Sequence, residues 1–251
     1  MEPEGQGAML RFRDGSTHSA DLVLGADGIG SVIRKFVNPD RHRNIFAGYS
    51  AWRGLIPEAT LPAGASLLIE RFAFYVARGA HALGYLVPGA KGEMAKGDRR
   101  YNWVWYRPAS NDTLRELFTD ARGGTHPFSL PRGGLSSGRL AAIRQDAAAT
   151  LPPQFSLAVA AEDRPSIQGI FDYEAPRMVR GPIALIGDAA FVVRPHTAMG
   201  VSKAAGDVMT LQRHLAAEDH LDRALAAFER ERIPVGREIS AYGRRLGSSA
   251  L

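Results

Sequence analysis

Residues 183–202, IALIGDAAFVVRPHTAMGVS, constrain this chain more than any other stretch. Four apolar residues, Ile183 to Ile186, run straight into Gly187-Asp188. After an irregular stretch containing Pro195, a helical pattern extends from about Met199 to Ala217. Strand, turn and helix in that order are the punctuation of an α/β fold. A carboxylate at the carboxyl end of such a strand, here Asp188, lies where ligands bind in open α/β sheets, and it suits a polyol hydroxyl. Free N–H groups around Thr197 to Val201 would sit at the positive end of the helix, an anion site without a basic side chain. Gly200 lets the backbone approach something flat.

A second turn has a similar build. Met9, Leu10 and Phe12 lead through Asp14-Gly15 into an apolar run, Leu22 to Ala26, which reads as a hairpin. Asp27-Gly28-Ile29-Gly30-Ser31 follows, then a short helical stretch, Val32 to Phe36. Gly28-x-Gly30 lacks the third glycine of GxGxxG, because Ile33 stands there, and no acidic residue waits about 20 positions on to hold a ribose. Asp27-Gly28-x-x-Ser31-x-x-Arg34 is better treated as its own unit. It is either a cradle presenting N–H groups to a pyrophosphate or a capped strand-to-helix turn. Gly5-x-Gly7 has no preceding strand and reads as loop.

Composition removes several function classes. At 251 residues, 45% hydrophobic and 23% charged, the chain suits a globular fold of one large or two small domains. Without cysteine it has no disulfide, thiolate nucleophile or Cys-held metal. The longest uncharged stretch, residues 147–161, is broken by Pro152-Pro153, so no membrane span is expected. The N-terminus lacks a secretory pattern, which points to the cytoplasm. The net charge of +5 comes from 31 basic residues of which four are Lys, and the arginines are scattered rather than striped, so no nucleic-acid partner is expected. His214, His220 and Asp207 lack metal-ligand spacing, and no GxSxG elbow supports a hydrolase.

Between about residues 45 and 107 the chain becomes aromatic and β-rich. The runs Ile45–Ile56, Leu67–Ala77, His81–Val87 and Tyr101–Arg107 predict a mostly antiparallel sheet. Residues 120–138 read as loop and Arg139 to Thr150 as a helix. A last helix, Leu221 to Leu246, is expected to kink or split at Pro234.

These motifs carry a resemblance. Asp27-Gly28 with Ser31 and Arg34, and Gly187-Asp188-Ala189-Ala190 with Pro195 and Gly200, resemble the DG and GD motifs of the single-component flavoprotein aromatic hydroxylases, in that family's order. YSAWRGLIPE from Tyr49, NWVWYRP at 102–108 and GDAAFVVRPHTAMGVSKAAGD are similar to the 2,6-dihydroxypyridine 3-hydroxylase-like branch. The resemblance covers residues 9–247. It implies an α/β (α+β) fold, the C-terminal portion of an FAD/NAD(P)-binding hydroxylase with an inserted β-rich substrate domain. Residues 1–44 would be a partial FAD-binding domain, 45–175 the substrate domain and 176–251 the FAD-binding segment with the C-terminal helices.

By the same resemblance, Gly187 and Asp188 hold the FAD ribityl chain, and Pro195 borders the isoalloxazine ring. The backbone of Ala198, Met199, Gly200 and Val201 faces the flavin N1 and C2 carbonyl, and Asp27, Gly28 and Arg34 serve the pyrophosphate and NAD(P)H. The implied reaction is hydroxylation of an electron-rich aromatic or N-heteroaromatic ring with NAD(P)H and O2 through a flavin C4a-hydroperoxide. His196 and Pro195 are the catalytic candidates. Arg194, His196, Tyr49 and Tyr85 are the substrate contacts, with His81 as a further proton-path candidate, and the aromatic sheet serves as lid and wall. Phe191 stands where many members have His, and Ser202 where several have Asn. A first βαβ unit with GxGxxG is expected to be missing, leaving an open sheet edge and weak FAD binding unless a homodimer mate or a complementing N-terminal chain completes the sheet. Two alternatives stand beside this reading. One is a non-catalytic fragment or interaction module. The other is a flavin-dependent halogenase, because Trp103 to Pro108 is similar to WxWxIP with Arg107 in place of isoleucine.

Overall fold

The computed structural model describes residues 2–4 and 7–249, so the loop reading at Gly5 lies outside it. Helices and sheets are mixed, and the chain divides into two compact units: Met1–Ile45 with Phe171–Gly247, and chiefly Phe46–Ile170. The second changeover falls inside a strand, at 170/171, rather than at 175/176.

The first unit opens with a three-stranded antiparallel sheet, β1 (Glu2–Glu4), β2 (Gly7–Arg11) and β3 (Thr17–Ala20). Asp14 accepts from the amide and hydroxyl of Ser16, and Gly15 takes φ +85°, which closes the turn. The hairpin therefore pairs Arg11 with Thr17 at once, and the apolar run expected as its second strand goes elsewhere. Val23 and Gly25 are buried, so this run becomes β4 (Val23–Gly25) in a separate sheet. There it pairs in parallel with β12 (Ile183–Leu185), whose other side takes β11 (Val179–Arg180). A single turn, α1 (Arg34–Val37), follows the DG segment.

Two long helices, α5 (Gly200–Ala217) and α6 (Leu221–Ser249), complete this unit. Pro234 does not split the helix: α6 runs through it as one element. Proline in a helix interior costs about 3 kcal/mol, but Phe228 and Ile239 are buried on either side. Gly236 lies so close to Phe191 that an added Cβ would be 2.5 Å from its ring, so packing past Pro234 holds the helix together. Phe191 itself belongs to β13 (Phe191–Val192), which pairs with the end of β10 (Ser166–Glu174).

In the second unit, β5 (Ile45–Pro57), β8 (Arg100–Pro108), β7 (Ala80–Val87) and β6 (Ala73–Ala77) form an antiparallel sheet in that order. Leu67 and Leu68 end a 3-10 helix, so the third predicted run starts as a strand only at Ala73. Buried Leu68 and Ala65 and the positive φ of Glu70 account for the difference. One sheet face carries Trp52, Trp103 and Trp105, with Gly54 leaving room for the Trp103 ring. Arg107 lies over Trp52 and Trp105 and pairs with Asp146 of α3 (Ser137–Thr150), which ties that helix to this face. The other face packs Tyr49, Ala51, Val104, Tyr106 and Ile170 together. The short α2 (Leu114–Leu117) and β9 (Ser129–Leu130) interrupt the loop, and α4 (Pro153–Ala160) starts on its own proline. No described helix is long and apolar enough to cross a membrane.

Candidate functional site

The parallel pair β4 and β12 creates the site in the first unit. Because Val23 pairs with Ile183 and Gly25 with Leu185, the two strands end together, and the DG and GD segments leave the same sheet edge side by side. Ligands of open α/β folds bind at that edge.

The DG segment is a capped turn. Asp27 accepts from the Ser31 hydroxyl at 2.6 Å and from the amides of Val32 at 2.7 Å and Ile33 at 3.2 Å. Desolvation pushes its pKa up, but these hydrogen bonds outweigh it and hold the carboxyl below its ordinary value. Gly28 adopts φ +71°, which the turn requires of a residue without Cβ. Of the two sequence readings, the capping contacts thus occupy Asp27.

Arg34 does something different from the pyrophosphate contact expected of it. Only 1% exposed, it donates to the carbonyls of Asp188 at 2.6 Å and Ala189 at 2.8 Å and to Asn44 Oδ1 at 2.9 Å, and it lies 3.8 Å over the Tyr173 ring. Its fork clamps the GD backbone onto the DG turn across 154 residues of sequence. Arg34 is a positioning residue.

Gly187 turns the chain with φ +58° and donates its N–H to Asp207 Oδ2 at 2.9 Å. Asp207 is 2% exposed and accepts from Arg232 at 2.7 Å; Lys203, equally buried, stands 3.7 Å away, an ion pair too long for a hydrogen bond. This Lys203–Asp207–Arg232 group anchors the turn from beneath and was not singled out from sequence. The i,i+4 spacing of Lys203 and Asp207 was its only local signal, and Arg232 has none. Desolvation lowers the Lys203 pKa, while Asp207 and Asp188 pull it back up.

The Asp188 side chain is exposed, yet desolvation pushes its pKa up against the pull of Lys203 and Arg34. Solvent can reach the carboxyl, but protein atoms crowd around it, as a ligand-facing group requires. Beyond it, Ala198 takes the left-handed conformation at φ +53° and α5 begins with no side-chain cap. The Met199 amide is already given to Thr197 Oγ1 at 3.2 Å. The Ala198 amide likewise donates to the Pro195 carbonyl, so of the Ala198–Val201 set expected only Gly200 and Val201 are open, joined by Ser202. They have no partner among the described residues. Val201 is 85% exposed and Met199 36%, so apolar surface borders these donors.

A carboxylate, three free amides at a positive helix end and flanking apolar surface fit a polyol chain joined to a flat heterocycle that carries negative charge. Pro195 and His196 lie in the half-buried 3-10 turn Pro195–Thr197 just before α5. Arg194 is committed to Asp172 through bonds of 2.7 and 3.0 Å. In the second unit Tyr49 is 2% exposed in the apolar cluster, His81 is buried, and half-buried Tyr85 stacks on Phe72. A cavity of about 450 Å³ near Arg41, Arg43 and Arg244 contains none of the expected site residues.

Comparison with known proteins bears on this geometry. A family model described as FAD binding domain-like matches residues 46–172, just over half of the chain, and an FAD binding domain model matches residues 144–241. The chain belongs to the FAD binding domain-like family. It is 30% identical over 241 residues to 2,6-dihydroxypyridine 3-monooxygenase of Paenarthrobacter nicotinovorans, covering 94% of this chain and 58% of that protein. Over 251 residues it is 28% identical to 3-amino-4-hydroxybenzoate 2-monooxygenase of Streptomyces cremeus, covering 98% and 54%. The solved 2,6-dihydroxypyridine-3-hydroxylase from Arthrobacter nicotinovorans superposes with TM-score 0.91 at 28% identity, over 99% of this chain and 62% of that one. The chain thus spans a little over half the length of the curated hydroxylases it matches. The hydroxylases to which the chain is similar are of the kind that the DG and GD motifs resemble.

Proposed function

We propose that this protein acts in an FAD-dependent monooxygenase that hydroxylates an electron-rich aromatic or N-heteroaromatic ring with NAD(P)H and O2. The observations that carry the reading are the open Asp188 carboxyl in the turn that Asp207 of α5 anchors and the three unpartnered amides of Gly200, Val201 and Ser202 at the start of that helix. FAD, when bound, would supply the redox chemistry that activates O2. Asp188, held in place by Arg34 through its backbone and by Lys203 through its charge, would accept from the cofactor's polyol hydroxyls. The α5 amides would stabilise negative charge on its ring. Pro195 and His196 border the ring, and His196 exchanges a proton with the substrate hydroxyl.

A second feature concerns what completes the site. β4 is an edge strand, and Leu24, Val32, Val201, Val208 and Met209 are exposed on the same unit, most of them along one side of α5. Unpaired edges and apolar stripes of this kind are normally covered. We infer that these 251 residues by themselves hold FAD weakly and that a further segment, of the same protein or of a second copy, pairs with β4. Titration with FAD, followed by flavin fluorescence, tests the first point, and sub-micromolar affinity for the monomer refutes it. With FAD in excess, NAD(P)H consumption should rise on adding 2,6-dihydroxypyridine and fall to background in Asp188→Ala. No flavin retention under any condition would instead support a non-catalytic interaction module.

A further inference from the structure

A cluster of positive charge in the first unit is separate from the GD turn. Two cavities, of about 450 and 310 Å³, meet at Asp40 and Arg41, which line both. Arg43 and Arg244 border the larger one, and Arg177 and Arg180 the smaller. Asp27, Gly28, Asp188 and the start of α5 line neither. Most of the nearby acids are already engaged: Asp172 holds Arg194 through bonds of 2.7 and 3.0 Å, and Glu174 pairs with Arg244. The guanidinium groups of Arg41, Arg43 and Arg177 have no hydrogen bond or salt bridge among the described residues, and Arg180 gives one nitrogen to the Phe36 carbonyl at 2.6 Å. These four cations face Asp40, the one lining carboxylate without a partner among the described residues.

The backbone that carries these side chains is pinned by residues distant in sequence. Asn38, 5% exposed, donates through Nδ2 to the Arg177 carbonyl at 2.9 Å and accepts from the Arg177 amide at 3.3 Å. The Tyr173 hydroxyl donates to the Arg41 carbonyl at 2.9 Å. Segments 38–43 and 176–180 are therefore held together through their backbones while the charged ends stay exposed. Clefts lined by one sign of charge concentrate ions of the other, and an anion relieves the repulsion among the arginines.

We infer that this pair of cavities binds a nucleoside diphosphate group. Arginine forks take phosphate oxygens two at a time, and Arg41, shared by both cavities, suits two phosphates joined by one bridge. The larger cavity has the size of a small-molecule site, and Ile45 at its border, 70% exposed, offers apolar surface to a base or sugar. The assignment stands on the charge and the cavities of the first unit and not on the flavin reading. A free nucleotide and the diphosphate of a dinucleotide present the same chemistry to it.

The probe is ADP, titrated into the chain by calorimetry at low ionic strength. Saturable binding is expected, weaker with AMP and absent with adenosine. Arg41→Gln and Arg177→Gln should each lower affinity about tenfold or more, the size of one lost hydrogen bond to a charged group. Asp40→Asn should tighten binding, because it removes the opposing charge. Arg11→Gln, exposed in β2 and lining neither cavity, should match the parent. Far-UV circular dichroism checks that each variant is folded. No saturable binding at millimolar ADP, AMP bound as tightly as ADP, or an equal loss in Arg11→Gln overturns the assignment. Displacement of ADP by NADPH marks a dinucleotide as the source of the group, and failure to displace it marks a free nucleotide. Asp188→Ala separates this site from the flavin site. FAD affinity unchanged in Asp188→Ala, with ADP binding intact, contradicts the hydroxylase reading alone. FAD binding that Asp188→Ala abolishes, with no ADP binding by the parent, contradicts the diphosphate assignment alone.

Discussion

Replacing Arg34 by Ala removes the clamp that holds the GD segment on the DG turn. The lost contacts are the bonds to the carbonyls of Asp188, Ala189 and the side chain of Asn44, together with the stack on Tyr173. Hydrogen bonds to a charged donor contribute about 1.5–3 kcal/mol each, but they are not additive, and truncating one partner of a buried charged group costs about 3–5 kcal/mol in total. A loss near 4 kcal/mol lowers the folding equilibrium constant roughly a thousandfold and Tm by about 8–16 °C for a chain of this size. Urea unfolding by far-UV circular dichroism gives the global figure, and native-state hydrogen exchange over residues 183–202 locates it. Arg34→Lys keeps the charge without the planar fork and should recover no more than about half. A loss below about 1 kcal/mol, or a lysine variant equal to the parent, would refute the clamp.

Three further outcomes follow from buried groups. Burial depresses the His81 pKa below 6.5, so its contribution is fully present above that value and is lost as pH falls toward the folded pKa. Stability should therefore drop by up to about 1.4 kcal/mol per pH unit just below pH 6.5, and His81→Phe should flatten that slope in urea titrations. Gly236→Ala forces a methyl against the Phe191 ring and should cost about 1–3 kcal/mol, partly recovered by adding Phe191→Leu. Lys203→Met leaves Asp188 with Arg34 alone to offset its desolvation, so the Asp188 pKa rises further and FAD affinity should begin its acid loss at a higher pH than in the parent. An unchanged pH profile of FAD binding would show that Lys203 does not act through Asp188.

The elements most legible in the sequence were those whose signal is local. The run Ile183–Ile186 ending in Gly187-Asp188 needs burial on all sides, and only a short sheet-interior strand provides it. Gly200 and the apolar spacing after it located α5. What stayed hidden depends on partners distant in sequence. Arg34 looked like a ligand residue because nothing within its own turn shows that the Asp188 carbonyl lies above it. The uninterrupted α6 rests on Phe191, about 40 residues upstream of Pro234, and local proline chemistry alone predicts a break. The hairpin at Asp14-Gly15 was read correctly as a turn, but its second strand is the polar Thr17–Ala20, which carries no hydrophobic signal.

The account stands or falls on whether the start of α5 and Asp188 grip a flavin. The most direct measurement is the amide chemical shifts of the isotope-labelled chain as FAD is added to millimolar concentration. Saturable movement of the Gly200, Val201 and Ser202 amides, lost in Asp188→Ala, is the predicted result. Shifts confined to other residues, or none at that concentration, would contradict it.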